Sequence, residues 1–432
     1  MGILSGISLR AIQVCWNVKQ PERSNLAREF LCSTGPPSPR GIGYMTIGQA
    51  QMAQMQLGQT VSDRHITAFT PPGLNVEAAK YPILLAGVLA ATEPLEWLSI
   101  YDFPESWRGL DRDAILSMRK RLFRFTMPID ARTMEPKDSV DTLQTIALSV
   151  SPVAIDTKAT VLPPKDLQPL GGQLPAGSAI FVKSLEIISE PEVSRVAKRV
   201  TEKDIPASEA AWKLFDYEYS LDQVARLMSV GLLGRTDSRR LVPTRWAYKA
   251  VIDAFVSRCL AELAEKPTVS SYRLSSSELF NESFTILEQP GEPQVDYLRV
   301  ERAQNGFERG ASLEGVKNLT SDSKTAVFAD HARFSVYQSL LKRKEKAHLT
   351  IFHFARNSNN GILGPWPVRE GVKIALESSQ VELDSRENAL IVLKSLLAPD
   401  FSVWASENSL IDTLGGAFRI VENSSPRHRY EK

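Results

Sequence analysis

Apolar residues recur at helical spacing most clearly just past the midpoint of this chain. Across residues 231–255, GLLGRTDSRRLVPTRWAYKAVIDAF, an apolar turn leads into a polar hairpin bearing three arginines. Ala247, Ala250, Val251, Ala254 and Phe255 then repeat on one helical face. The pattern predicts an amphipathic helix that runs past Cys259 to Glu265, with Thr244 as its N-cap. Arg245 and Trp246 fall in the first turn, where the helix dipole disfavours a cation. Arg245 therefore calls for an anion, either a ligand or a buried carboxylate of the protein itself.

Elsewhere the chain reads as alternating strands, loops and helices. Residues 65–69 (HITAF) and 83–89 predict short buried strands, and Asn75 and Glu77 fall on the loop between them. A helix is expected over 111–125, carrying Arg119, Lys120, Arg121 and Arg124 with Phe123 and Phe125 interleaved. Such a run is either a solvated face or a surface for phosphates and stacked bases. A short helix over 140–150 holds Gln144, residues 163–177 form a Pro/Gly-rich linker, and 179–188 read as a strand. A helix opens at 204–211, and another over 221–230 ends at Gly231, a natural C-cap. After a break at Lys266-Pro267, short strands are expected over 269–274 and 283–287, and residues 306–322 read as a loop suited to a lid. A helix from Asp330, a strand over 348–354 and a helix ending near Glu377 complete the pattern. The Gly/Asn-rich loop 357–366 offers backbone N–H groups to an anion, with Arg369 as counter-charge. A short helix over 49–59 and a strand-like stretch over 418–421 lie outside this body.

Composition narrows the picture. The chain has 432 residues, 43% hydrophobic and 23% charged, enough for two or three domains. With Lys plus Arg at 51 against Asp plus Glu at 50, bulk charge offers no general attraction to nucleic acid, so DNA must be met by local patches. No apolar run is long enough to span a bilayer, and the N-terminus lacks a basic n-region and cleavage site, so a cytoplasmic setting is expected. Cys15, Cys32 and Cys259 make neither a disulfide framework nor a four-ligand zinc site. The Gly-Lys-Ser/Thr ending of a P-loop is absent, which excludes that NTPase class, and dispersed carboxylates argue against a two-metal nuclease.

The run RRLVPTRWAYKAVIDAF resembles the archaeal Nre family of DNA-repair proteins, and Trp366, Val368, Arg369 and Glu370 are similar to its Trp-x-Val-Arg-Glu motif. Residues 101–107 (YDFPESW) resemble its Asp-x-Pro-Glu-x-Trp segment, Gln144 its Leu-x-x-Gln position, and residues 204–210 its Asp-x-x-Ala-x-Glu-Ala. Arg356 matches the family's arginine, whereas Asn357 stands where the family has Glu. The resemblance covers residues 60 to 400 or so and implies mixed sheets with flanking helices. An N-terminal α/β domain over 61–280 and a smaller C-terminal α/β domain over 281–400 are expected, between an irregular segment 1–60 and a tail 401–432. The family's N-terminal cysteine cluster and its C-terminal clamp-binding peptide have no counterpart here, so neither a metal nor a replication clamp is carried over.

What the resemblance implies is action on DNA, double-stranded with a flipped base or single-stranded. The expected chemistry is a DNA glycosylase that hydrolyses the N-glycosidic bond of a damaged or modified base, without cofactor or metal. Defence against foreign DNA carrying modified bases is one setting for a member stripped of both modules. The alternative is a non-catalytic DNA-binding factor that recruits partners. Asp102, flanked by Tyr101, Phe103 and Trp107, is the expected ionised carboxylate, with Asn75 and Glu105 as helpers. Arg119, Arg121, Arg124, Arg245, Arg356 and Arg369 are expected on DNA, and Trp107, Trp246, Trp366 and Asn360 in the base pocket.

Overall fold

The computed structural model describes residues 65–405 apart from 79–81, 92–93, 102–103, 121, 160–177, 304–305, 314–322 and 357–362. Expectations for the segments 1–60, 163–177 and 418–421 lie outside these residues. The chain divides between Phe255 and Val256 into two compact units. Each holds a six-stranded mixed sheet with flanking helices, an α/β fold in both.

The first unit runs β1 (His65–Thr70), β2 (Leu74–Ala78), β3 (Ile83–Ala90), α1 (Arg112–Lys120), β4 (Phe123–Asp130), α2 (Lys137–Leu148), β5 (Val153–Ala159) and β6 (Ser178–Ile187). It continues through α3 (Arg195–Thr201), α4 (Ala207–Asp216), α5 (Leu221–Ser229) and α6 (Thr244–Leu263), and the division from the second unit falls inside α6. The sheet order is β1-β5-β6-β4-β3-β2, with β4 and β6 parallel and the remaining pairs antiparallel. Phe69 and Ala91 exchange backbone hydrogen bonds of 2.7 and 2.8 Å, so the sheet curls until the end of β1 meets the chain leaving β3. Asn75 and Glu77 lie on the edge strand β2 rather than on a loop, because β2 pairs along its length with β3. The helix expected over 111–125 stops at Lys120; Phe123, Phe125 and Met127 alternate with Arg124 and Thr126, the period of a strand, and form β4.

The polar stretch between α5 and α6 is tied down locally. Gly231 adopts φ +73°, and a Cβ there would sit 2.9 Å from the Arg240 carbonyl oxygen, so no other residue fits the turn. Arg239 donates to the carbonyls of Gly234, Thr201 and Lys203, and Asp204 accepts from the Thr236 N–H and hydroxyl. These bonds hold the Asp204 carboxyl below its usual range. Helix α6 buries Ala247, Val251, Ile252, Phe255, Val256, Cys259 and Leu263, while Ala250, expected inward, is exposed.

The second unit contains β7 (Tyr272–Leu279), β8 (Glu282–Gln289), β9 (Gln294–Ala303), β10 (Gly306–Leu313), α7 (Ser323–Arg343), β11 (His348–Arg356), α8 (Trp366–Glu377), β12 (Val381–Leu383) and α9 (Arg386–Ala405). Its sheet order is β10-β9-β11-β8-β7-β12, with β9 and β11 parallel. Residues 306–313, expected as part of a lid, instead form β10, because they pair antiparallel with every residue from Asp296 to Ala303. One sheet face packs on α8, where a Cβ on Gly371 would lie 2.2 Å from the Phe284 ring. The other face joins Leu274, Leu287, Leu298, Val300, Phe352 and Phe354 to Ala389, Leu393 and Leu397 of α9. Among the described residues no helix is long and apolar enough to cross a membrane.

Candidate functional site

In the first unit, strand register decides which side chains meet. Asn75, Gly87, Thr126 and Phe181 are successive partners across β2, β3, β4 and β6, so they share a face; Glu77 and Arg124 lie two residues from this row on the same face. Gly87 leaves that row without a side chain. A Cβ there would meet the Phe125 carbonyl at 3.0 Å, Thr126 Oγ1 at 3.1 Å and Arg124 Cγ at 3.5 Å. The gap lets the Arg124 stem cross to β2, where its NH1 donates to Glu77 Oε1 at 2.8 Å. Asn75 Nδ2 donates to the same oxygen at 2.7 Å. Both donors therefore hold Oε1, and no described residue engages Oε2. Side-chain exposure is 5% for Arg124 and 12% for Glu77.

Burial raises the Glu77 carboxyl above its ordinary range, against the attraction and hydrogen bond of Arg124 and the bond from Asn75. Burial likewise lowers Arg124 despite its carboxylate partner. Ion pairs of this kind contribute little net stability, because desolvation offsets the Coulomb gain. A perturbed carboxyl with one open oxygen is the sort of group that moves protons.

The start of α6 abuts this cluster. Thr244 is not the N-cap, since Trp246 and Ala247 N–H groups reach back to the Pro243 carbonyl. Its hydroxyl instead accepts from the Val76 N–H at 2.8 Å, satisfying the open edge of β2 between Asn75 and Glu77, and lies 3.0 Å from Ser229 Oγ. That contact places Arg245 and Trp246 one and two residues from the edge strand, both exposed, with Trp246 63% exposed. Gln144, on α2, donates to the Val230 carbonyl at 2.9 Å. Arg226 of α5, buried and held down at about 10 by burial, was not singled out by the sequence. Neither was Glu77 as the shared acceptor; its signal was the Asn-x-Glu spacing, which puts both side chains on one face only if the segment is a strand.

Other expected site residues scatter. Asp102, Arg121 and Asn360 lie outside the described residues. Glu105 belongs to the short helical turn Pro104–Trp107, in which Trp107 is buried, and Arg119 is on α1. In the second unit, Arg369 and Trp366 occupy the first turn of α8, both buried, and Arg356 ends β11, exposed. Trp366 packs 5.9 Å from the Phe280 ring, and the Arg369 carbonyl accepts from Ser335 Oγ at 2.9 Å. Beneath α8, His353 is fully buried, stacked on Phe284, bonded through Nδ1 to the Tyr297 hydroxyl at 2.6 Å and through Nε2 to Glu282 at 2.9 Å. Burial lowers its pKa, so the ring is neutral at pH 7. Cys259, whose thiol burial pushes up to about 12, is no nucleophile.

Against known proteins, residues 42–305 match the N-terminal family model of archaeal Nre and residues 319–420 its C-terminal model. A DNA repair protein NreA of Haloferax volcanii is 22% identical over 365 residues, covering 80% of this chain and 86% of its own. From Archaeoglobus fulgidus, a DNA repair protein NreA is 24% identical, covering 76% and 84%, and a DNA repair protein NreB 23%, covering 82% and 90%. No solved structure matches the chain significantly. With both family models matched in order across most of its length, the chain belongs to the archaeal Nre family.

Proposed function

We propose that this protein acts in DNA repair as a DNA glycosylase, hydrolysing the N-glycosidic bond of a damaged or modified base. The relatives' names support the repair role. The observation that carries the chemistry is Glu77, whose Oε1 is held by Asn75 and Arg124 while no described residue engages Oε2. In this reading Glu77 Oε2 takes a proton from water as the water oxygen bonds to C1′ of the sugar; the C1′–N bond breaks and the base leaves with its electron pair. Arg124 stays in place to stabilise the carboxylate at the start of the step. Exposed Arg245 meets backbone phosphate and Trp246 offers a stacking face to DNA at the rim. Asp102 remains a second candidate carboxylate from its aromatic flanks.

The test is incubation of the purified protein, in EDTA, with genomic DNAs that differ in base modification, followed by counting of abasic sites with an aldehyde-reactive probe. Abasic sites on one DNA and not the others support excision and name its substrate. Tight binding without abasic sites on any DNA overturns it in favour of a non-catalytic repair factor.

A further inference from the structure

A cavity of about 360 Å³ opens in the second unit, on the sheet face opposite His353. Its floor is Phe352 and Phe354 of β11, its wall Leu396 and Leu397 of α9, and its edge the hydroxyl residues Ser276, Ser283 and Thr285. Register explains the grouping: Phe352 pairs with Thr285 and Thr285 with Ser276, while Phe354 pairs with Ser283 and Ser283 with Glu278. No described residue engages the hydroxyls of Ser283 or Thr285. At the mouth, the Arg356 guanidinium lies 5.7 Å from the Phe354 ring centre. Its neighbour in the parallel ladder is Arg302, also exposed and two residues beyond Val300 on the same face. The register thus sets two guanidinium-bearing residues side by side on adjacent strands. The pair lies at the carboxyl ends of the two parallel strands, where α/β sheets gather ligands.

We propose that this cavity binds a nucleotide, its base stacked against the Arg356–Phe354 layer and edged by Thr285 and Ser283, its phosphate on Arg302 and Arg356. The volume is that of a small-ligand pocket, about 300 Å³ upward, and its apolar floor is rimmed by hydroxyls, Glu278 and Arg356, which suits a ligand with one flat apolar face and polar edges. Guanidinium planes and aromatic rings are the surfaces on which unpaired bases stack. Glu278 at the edge accepts from a sugar hydroxyl or base amino group. The same chemistry is presented by a free mononucleotide and by one nucleotide of a single strand.

Full-length protein is titrated calorimetrically with each deoxynucleoside 5′-monophosphate, with inorganic phosphate alone and with an eight-residue oligothymidylate. A mononucleotide or the oligonucleotide binds, and inorganic phosphate binds at least about tenfold more weakly. Binding falls about tenfold or more in Arg356→Ala and in Arg302→Ala and severalfold in Thr285→Val, whereas Thr285→Ser stays near wild type. Oligonucleotide preferred over mononucleotide assigns the site to a strand, and equal binding assigns it to the free nucleotide. The proposal is overturned if nothing binds at millimolar concentration, or if binding persists unchanged in both arginine variants. Thermal unfolding of each variant separates lost binding from lost fold, and abasic-site counting scores the excision reading independently.

Discussion

Glu77 in the first unit and Glu288 in the second are both strand carboxylates bonded to arginine, and they differ in what they leave open. Glu288 gives one oxygen to Arg273 at 3.2 Å and the other to Arg343 at 2.9 Å, and its side chain is 2% exposed. Arg273 also reaches Glu345 and Glu382, so the charges close on one another. Glu77 gives both of its bonds to one oxygen on an edge strand. A closed network suits a structural role, because the buried carboxylate is matched at both oxygens. A one-sided pair leaves chemistry available, and the exposed start of α6 is fastened beside it. The lesson is that burial alone does not mark a site; the asymmetry of the bonding does.

The sharpest way to break the comparison is Glu77→Gln. Abasic-site formation should fall by about 100-fold or more, the range of general acid–base catalysis, while the amide still accepts from Arg124 and the first unit melts near the wild-type midpoint. Excision at wild-type rate in that variant, with Asp102→Asn inactive, would move the carboxylate role to Asp102. Glu288→Ala should do the reverse, costing about 3 kcal/mol because Arg343 loses its carboxylate and Arg273 one of its three, with excision preserved where the protein is folded. Denaturant unfolding followed alongside abasic-site counts checks both.

The pH responses should oppose one another. Glu77 is raised in the fold, so the unfolded chain loses its proton first and this group lowers stability as pH climbs from 4.5 towards the folded value. His353 is depressed in the fold, so the unfolded chain binds a proton first, and stability is lost as pH drops below 6.5 towards the folded value. Unfolding midpoints against pH should therefore flatten on the acidic side of 6.5 in His353→Gln, and on the alkaline side of 4.5 in Glu77→Gln. The smallest effect is expected for Thr244→Val, which frees the Val76 N–H on the β2 edge and should cost about 1 kcal/mol, read as a shift in the unfolding midpoint.

Much of the architecture was legible in local pattern. Helices α5 and α6, strands β3, β6 and β11, and the α8 start with Arg369 in its first turn follow from periodicity, Gly231 and Pro365. Where the reading failed, pairing overrode composition. Residues 306–313 are polar and Gly-bearing, yet β9 offers a full ladder of partners and makes them a strand. Residues 123–125 read as the end of a basic helix because Arg124 follows Arg119–Arg121, but they open β4, and Arg124 reaches along a sheet face to Glu77.

By itself the amino-acid sequence determined family membership, the α/β class and the presence of LVPTRW and WPVRE on helix starts, since these rest on residue order and short-range periodicity. Tertiary structure alone decided that Asn75, Glu77 and Arg124 converge, across 49 positions of chain (124 − 75). Strand register sets which side chains share a face, and register depends on a partner strand that no local window contains. The same holds for Arg302 beside Arg356, neighbours only because β9 and β11 lie parallel.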